Sequence, residues 1–236
     1  MAGKLIVIEG LDGAGKSTQL KLLSEKTESL NRDNSSTEIK FITFPDYDSF
    51  SGRIIKEYLS GAYSGLDTTD GSYSASCFYA VDRYISFKTN WGGDYIDGKN
   101  IISARYTGSN LIYQMAKLKG SQWDDYYNWL YDLEFEKLAL PKPDATIFLD
   151  MPFEVSEQLL NKRYKENSGC RDMHESDLAF LKTCKRAADY AVIKDGWKKI
   201  NCAKKNQDNL YVPREIEDIN AELLKIVLET LKESAK

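Results

Sequence analysis

Eight consecutive residues, Gly10-Leu11-Asp12-Gly13-Ala14-Gly15-Lys16-Ser17, follow the pattern GxxxxGK[ST], and each fixed position has a chemical task. The glycines allow backbone turns in which successive amide N–H groups converge on one concave nest, where phosphate oxygens accept their bonds. Lys16 supplies a point charge to the β and γ phosphates of a nucleoside triphosphate. Ser17 offers its hydroxyl to Mg²⁺, and Thr18 opens a helix whose positive amino end faces the same anion. The loop lies between a short β-branched run, Leu5 to Ile8, and a helical sequence, Thr18 to Glu28. Strand, loop and helix in that order is the context the pattern requires.

Short apolar runs return at Ile39 to Phe44, Ile101 to Ala104, Ala145 to Leu149 and Trp197 to Cys202, each separated by helical stretches. The alternation predicts an α/β fold with a five-stranded parallel sheet covered by helices on both faces. Helical patterns are clearest at Ser72 to Phe87, Trp123 to Leu138 and Ile216 to Leu231. In the last, Ile216, Ile219, Leu223, Ile226, Val227 and Leu231 trace one face. Two polar segments read as irregular, Asn31 to Thr37 and Tyr164 to Met173. The second is either a mobile lid over a site or another surface loop.

A chain of 236 residues with 42% hydrophobic and 12% aromatic content fits one packed domain, residues 1 to 236. A formal charge of −4 argues against a polynucleotide partner, whose grip needs a basic excess. Cys77, Cys170, Cys184 and Cys202 have no CxxC spacing, so neither a zinc site nor a redox pair is indicated. No signal peptide and no apolar run near 18 residues is evident, and a cytoplasmic location without membrane contact is expected.

Further motifs stand in a fixed order. Ile8-Glu9 leads into the loop and Phe44-Pro45-Asp46-Tyr47 follows the second run. Phe78-Tyr79-Ala80-Val81-Asp82-Arg83 comes next, then Arg105-Tyr106 with Ser109-Asn110 and Tyr113, then Leu140-Pro141-Lys142-Pro143-Asp144. Together they resemble the thymidylate kinases, from Lys4 to about Asp150 and more loosely to Ala191. The resemblance implies a P-loop kinase fold with a lid at about 162 to 175. It also implies Mg²⁺-dependent in-line transfer from ATP to thymidine monophosphate, and a homodimer for which the Ser72 to Phe87 helix is a plausible face.

On that reading Gly10 to Thr18 hold ATP, and Lys16, Asp12 and Arg105 serve catalysis. Phe44 and Tyr79 can sandwich or edge a flat pyrimidine, and Arg83 can reach its carbonyl edge or its phosphate. Asn110 suits the donor and acceptor pair on a thymine edge. The resemblance puts Tyr113 near the sugar and Tyr47 near the acceptor phosphate or ribose. An anion at Asp12 among phosphates needs a cation or a sugar hydroxyl to take up its charge, and the resemblance places it beside the acceptor's 3′-hydroxyl or the metal. Arg105, after the third strand, can bridge donor and acceptor phosphates.

Two positions depart from the family. Gly13 stands where some members carry an arginine, so the lid must supply one, with Arg163 and Arg171 as candidates. Ala104 replaces the aspartate of the DRY element that holds magnesium through water. Glu9, Asp12 or Glu175 could compensate beside Ser17, since Mg²⁺ needs only one or two protein oxygens. Glu9 could equally be structural, and Asp172 with Glu175 has capping-box spacing. The alternatives are a kinase of the same fold for another acceptor, and a nucleotide-binding protein impaired by Ala104.

Overall fold

The computed structural model describes residues 1–33, 38–63, 71–167 and 178–233, with side chains for all of these except 29–33 and 162–167. Strand β1 (Leu5–Glu9) runs into the glycine loop and helix α1 (Lys16–Asp33). Strand β2 (Ile39–Thr43) leads to α2 (Phe50–Leu59) and α3 (Gly71–Ser86). A π-helical turn at Phe87–Trp91 and short α4 (Gly92–Ile96) come before β3 (Asn100–Ala104). Then follow α5 (Gly108–Tyr113), α6 (Trp123–Tyr131) with a π-helical extension at Asp132–Lys137, β4 (Ala145–Asp150), α7 (Phe153–Asn167) and α8 (Leu178–Asp195). The chain closes with β5 (Lys198–Asn201), a hairpin of β6 (Ala203–Lys205) and β7 (Tyr211–Pro213), and α9 (Ile216–Lys232).

The five expected strands form one parallel sheet in the order β2-β3-β1-β4-β5. Every residue of β1 and β3 is buried, as expected for central strands covered on both faces. On one face Ile6, Ile8, Ile102, Ile147 and Leu149 pack with Leu23 of α1 and Leu223 and Val227 of α9. On the other, Leu5, Val7 and Ile101 meet Phe44, Trp91 and Tyr106. Asp144 fastens the start of the central strand, its carboxylate accepting from Leu5 N at 2.8 Å and Lys4 Nζ at 2.9 Å.

The structure changes several expected boundaries. The helix expected over Ser72 to Phe87 passes into a π turn, and so does the one expected over Trp123 to Leu138. Residues 31–33 extend α1 and 164–167 extend α7, where loops were expected. The rest of those two segments, with Cys170, Arg171, Asp172, His174 and Glu175, lies outside the described residues. Helices α7 (Phe153–Asn167) and α8 (Leu178–Asp195) fill the helical stretch expected between the fourth and fifth strands, whereas the β6–β7 hairpin was not anticipated. No described helix is long and apolar enough to cross a membrane.

Candidate active site

The central β1 lies between β3 and β4, and the chain leaves β1, β2 and β3 toward the same carboxyl edge of the sheet. Ligands of open α/β sheets bind there. The glycine loop, Phe44 and Arg105 follow those three strands.

Within the loop, Gly13 and Gly15 take φ of 78° and 88°, which strains any residue with a Cβ. A Cβ on Gly13 would lie 2.7 Å from the carbonyl oxygen of Ser156 in α7. Close packing of α7 therefore excludes a P-loop arginine at this position. Lys16 is buried, and its Nζ donates to the carbonyls of Gly10 at 2.7 Å and Leu11 at 2.8 Å. The ammonium is thus held across the loop, 3.9 Å from Asp12 Oδ1.

The cation that Asp12 needs is Arg105. Its NH2 pairs with Asp12 Oδ1, and Tyr113 Oη donates to Oδ2 at 2.8 Å. Burial alone would raise the Asp12 pKa, but Arg105, Lys16 and the Tyr113 bond lower it to about 2. Burial and the Asp12 charge push the Tyr113 phenol well above its ordinary value. Arg105, partly exposed at the cavity, sits with its guanidinium 5.3 Å over the Tyr113 ring.

Arg105 itself has φ of 67°, a left-handed conformation costing about 1–2 kcal/mol outside glycine. Backbone bonding from Arg105 N to Ile8 O at 2.9 Å begins to offset that cost. Glu9 completes it: Oε1 accepts from Tyr106 N and Oε2 from Ser109 Oγ, both at 2.8 Å. Each such hydrogen bond contributes about 0.5–1.5 kcal/mol net, comparable to the backbone strain. Burial raises the Glu9 pKa, opposed in part by Arg105 and by its two hydrogen bonds. Glu9 is fully buried, and its two carboxylate oxygens hold the turn that follows Arg105.

The remaining expected acceptor residues range from buried to exposed. Asn110 is buried, its Nδ2 donating to Ser76 O at 3.4 Å, and Phe44 rests on Tyr106 with ring centroids 5.9 Å apart. Tyr79 is half-buried and edge-on to Tyr58. Tyr47 is exposed. Arg83 is enclosed in a forked ion pair with Glu134, Nε to Oε2 at 2.7 Å and NH2 to Oε1 at 2.5 Å. Burial would lower the Arg83 pKa, but Glu134 more than offsets this and the net direction is upward, so the guanidinium stays charged. Asp82 of the same motif binds Asp46 N and Ser51 Oγ and so fixes the segment after Phe44.

A cavity of about 600 Å³ opens from the loop. Asp12 to Gln19, Thr43, Ala104 and Arg105 line it, together with Leu159 and Leu160 of α7 and Arg214, Glu215, Ile216 and Ile219. Sequence reasoning did not reach Arg214 or Glu215, which belong to no motif, and it took Ile216 and Ile219 only as core. Gln19 brings that wall to the loop: its Nε2 donates to Ile216 O at 3.1 Å, and Asn220 Nδ2 donates to Gln19 O and Oε1 at 3.0 Å each. Arg163 sits on α7 one turn beyond Leu159 and Leu160, but its side chain lies outside the described residues, as do Arg171 and Glu175.

The oxygen donors at the cavity fit a magnesium ion carried by phosphates better than a preformed metal cage. Ser17 offers its hydroxyl, Asp12 is engaged by Arg105, and position 104 has only a methyl group. Among the described residues no cluster of three His, Cys, Asp or Glu is arranged to hold an ion.

A parallel sheet whose first strand feeds a GxxxxGKS loop, with an arginine from the neighbouring strand over that loop, defines a P-loop kinase. The family model for thymidylate kinase matches residues 8–211, and the chain belongs to that family. A thymidylate kinase of Mycobacterium tuberculosis is 31% identical over 176 residues, covering 73% of this chain and 78% of that one. One of Caenorhabditis elegans is 34% identical over 162 residues, 66% of each chain. The structure of Candida albicans thymidylate kinase shares the fold, with a TM-score of 0.70 at 24% identity over 100% of this chain and 96% of that one.

Proposed function

We propose that this enzyme transfers the γ-phosphoryl group of ATP to thymidine monophosphate, giving ADP and thymidine diphosphate. Family membership over residues 8–211 supports the reaction, and the observation that carries the site is the convergence of Lys16, Asp12 and Arg105 on one cavity. The donor phosphates lie in the nest of Gly10 to Thr18, with the purine toward Arg214 to Ile216. The acceptor lies toward Phe44, Tyr47, Tyr79, Arg83, Asn110 and Tyr113. Mg²⁺ bound to the phosphates and Ser17 neutralises charge and orients the donor. Arg105 adds a fixed positive charge between the two nucleotides, and the Asp12 carboxylate is available to the acceptor's sugar hydroxyl. The acceptor phosphate is already ionised, so the work is positioning and charge neutralisation, and no residue need act as a strong base. An arginine from 162–175, Arg163 or Arg171, would complete the charge balance as a lid, and Glu175 remains the other carboxylate that could support the metal.

We infer a single domain acting as a cytoplasmic homodimer. Val81 and Ile85, 46% and 38% exposed on α3, support that helix as the contact face. The test of function is chromatography of products from ATP, Mg²⁺ and thymidine monophosphate. Thymidine diphosphate should form in step with ADP, and ADP without it would refute the assignment.

A further inference from the structure

Glu134 has no place in the motifs that carry the resemblance, yet its carboxylate accepts three hydrogen bonds. It is fully buried in the π-helical turn Asp132–Lys137, where the altered register re-aims a side chain relative to an α-helix. Its partners come from two other parts of the chain, since Oε1 and Oε2 take the NH2 and Nε of Arg83 while Oε2 also accepts from Thr107 Oγ1 at 2.7 Å. Thr107 stands two residues past Arg105, in the turn that Glu9 holds from its other side.

Burying both charges gains little stability over an apolar pair, because desolvation cancels most of the attraction. What the fork does supply is orientation. It consumes one edge of the guanidinium, while NH1 makes a single long bond to Tyr106 O at 3.4 Å. We propose that Glu134 is a positioning residue of the acceptor site: it fixes Arg83 with its NH1 edge toward the acceptor nucleotide and, through Thr107, ties that orientation to the turn carrying Arg105. The inference rests on the reading that Arg83 serves the acceptor.

The test is steady-state kinetics of Glu134→Gln, Thr107→Val, Arg83→Lys and the double variant Arg83→Lys/Glu134→Gln, with thymidine monophosphate and ATP varied in turn. Glutamine has nearly the same shape but sets an amide donor against one guanidinium N–H. Glu134→Gln should raise the KM for thymidine monophosphate about tenfold, the worth of a charge-assisted bond, with kcat and the KM for ATP within about twofold. The double variant should be no worse than Arg83→Lys alone, because both changes act through one group. A lowered Tm with both KM values unchanged would assign Glu134 to folding only and overturn the proposal. If Glu134→Gln does not fold, Thr107→Val decides: a rise of about threefold in the same KM supports the proposal, and no rise overturns it. Should Arg83→Lys itself leave that KM unchanged, the acceptor reading fails, and the inference fails with it for that separate reason.

Discussion

Tyr113 donates to Asp12 Oδ2 at 2.8 Å, on the oxygen beside the one that Arg105 takes, so a residue of α5 helps to hold the P-loop carboxylate ionised. Asp12 has a lowered pKa of about 2, so its contribution to stability is fully present above the unfolded value near 3.8 and is lost as pH falls toward 2. Tyr113→Phe should cost about 1 kcal/mol at neutral pH, and the difference should shrink below about pH 4. Denaturant unfolding at several pH values checks this; a cost independent of pH would mean that the phenol contributes by packing alone.

Glu9 has the opposite sign. Its raised pKa means that the folded protein binds the proton more tightly, so stability falls as pH rises from 4.5 through the folded value. Glu9→Gln keeps an acceptor for Tyr106 N and a donor for Ser109 Oγ while removing the buried charge. The variant should be at least as stable as the natural protein at pH 7, and its Mg²⁺ dependence should be unchanged. A sharply weakened Mg²⁺ dependence in a metal titration of activity would place Glu9 at the metal site.

Gly13→Ala tests the contact between loop and α7. Left-handed φ and the 2.7 Å approach to Ser156 O should together lower stability by roughly 1–3 kcal/mol and raise the KM for ATP. Thermal unfolding and ATP kinetics measure both. Unaltered values would show that α7 yields without cost, and that an arginine could be accommodated here.

Ala104→Asp restores the family's carboxylate at a wall of the cavity. It should change kcat by less than about threefold, since attraction for the metal comes with repulsion of the phosphates. A natural protein without turnover that this substitution rescues would instead be a nucleotide-binding relic.

Much of this was legible in the sequence because the signals are local. The glycine loop, the β-branched runs and the apolar stripe of α9 each sit within a few consecutive residues, and the parallel sheet follows from their alternation. Helices α7 and α8 were less legible because their termini run into charged sequence that reads as loop, and the two π turns shift the side-chain register without any marker residue. The least legible features join distant positions. Glu134 meets Arg83 across 51 residues and Thr107 across 27, and Gln19 meets Asn220 across 201. Only packing reveals such pairs. The motif Phe78 to Arg83 singles out Arg83, whereas Glu134, the carboxylate paired with it, belongs to no motif.

Phosphorylation of thymidine monophosphate distinguishes this P-loop kinase from kinases of the same fold that act on other acceptors. Its most direct test is acceptor-dependent ADP release, measured as kcat/KM with thymidine monophosphate, deoxyuridine monophosphate, deoxycytidine monophosphate, adenosine monophosphate and thymidine under saturating ATP and Mg²⁺. Thymidine monophosphate should give the highest value, with no appreciable release in the absence of an acceptor. A higher kcat/KM for another acceptor, or ADP release that ignores the acceptor, would contradict this assignment.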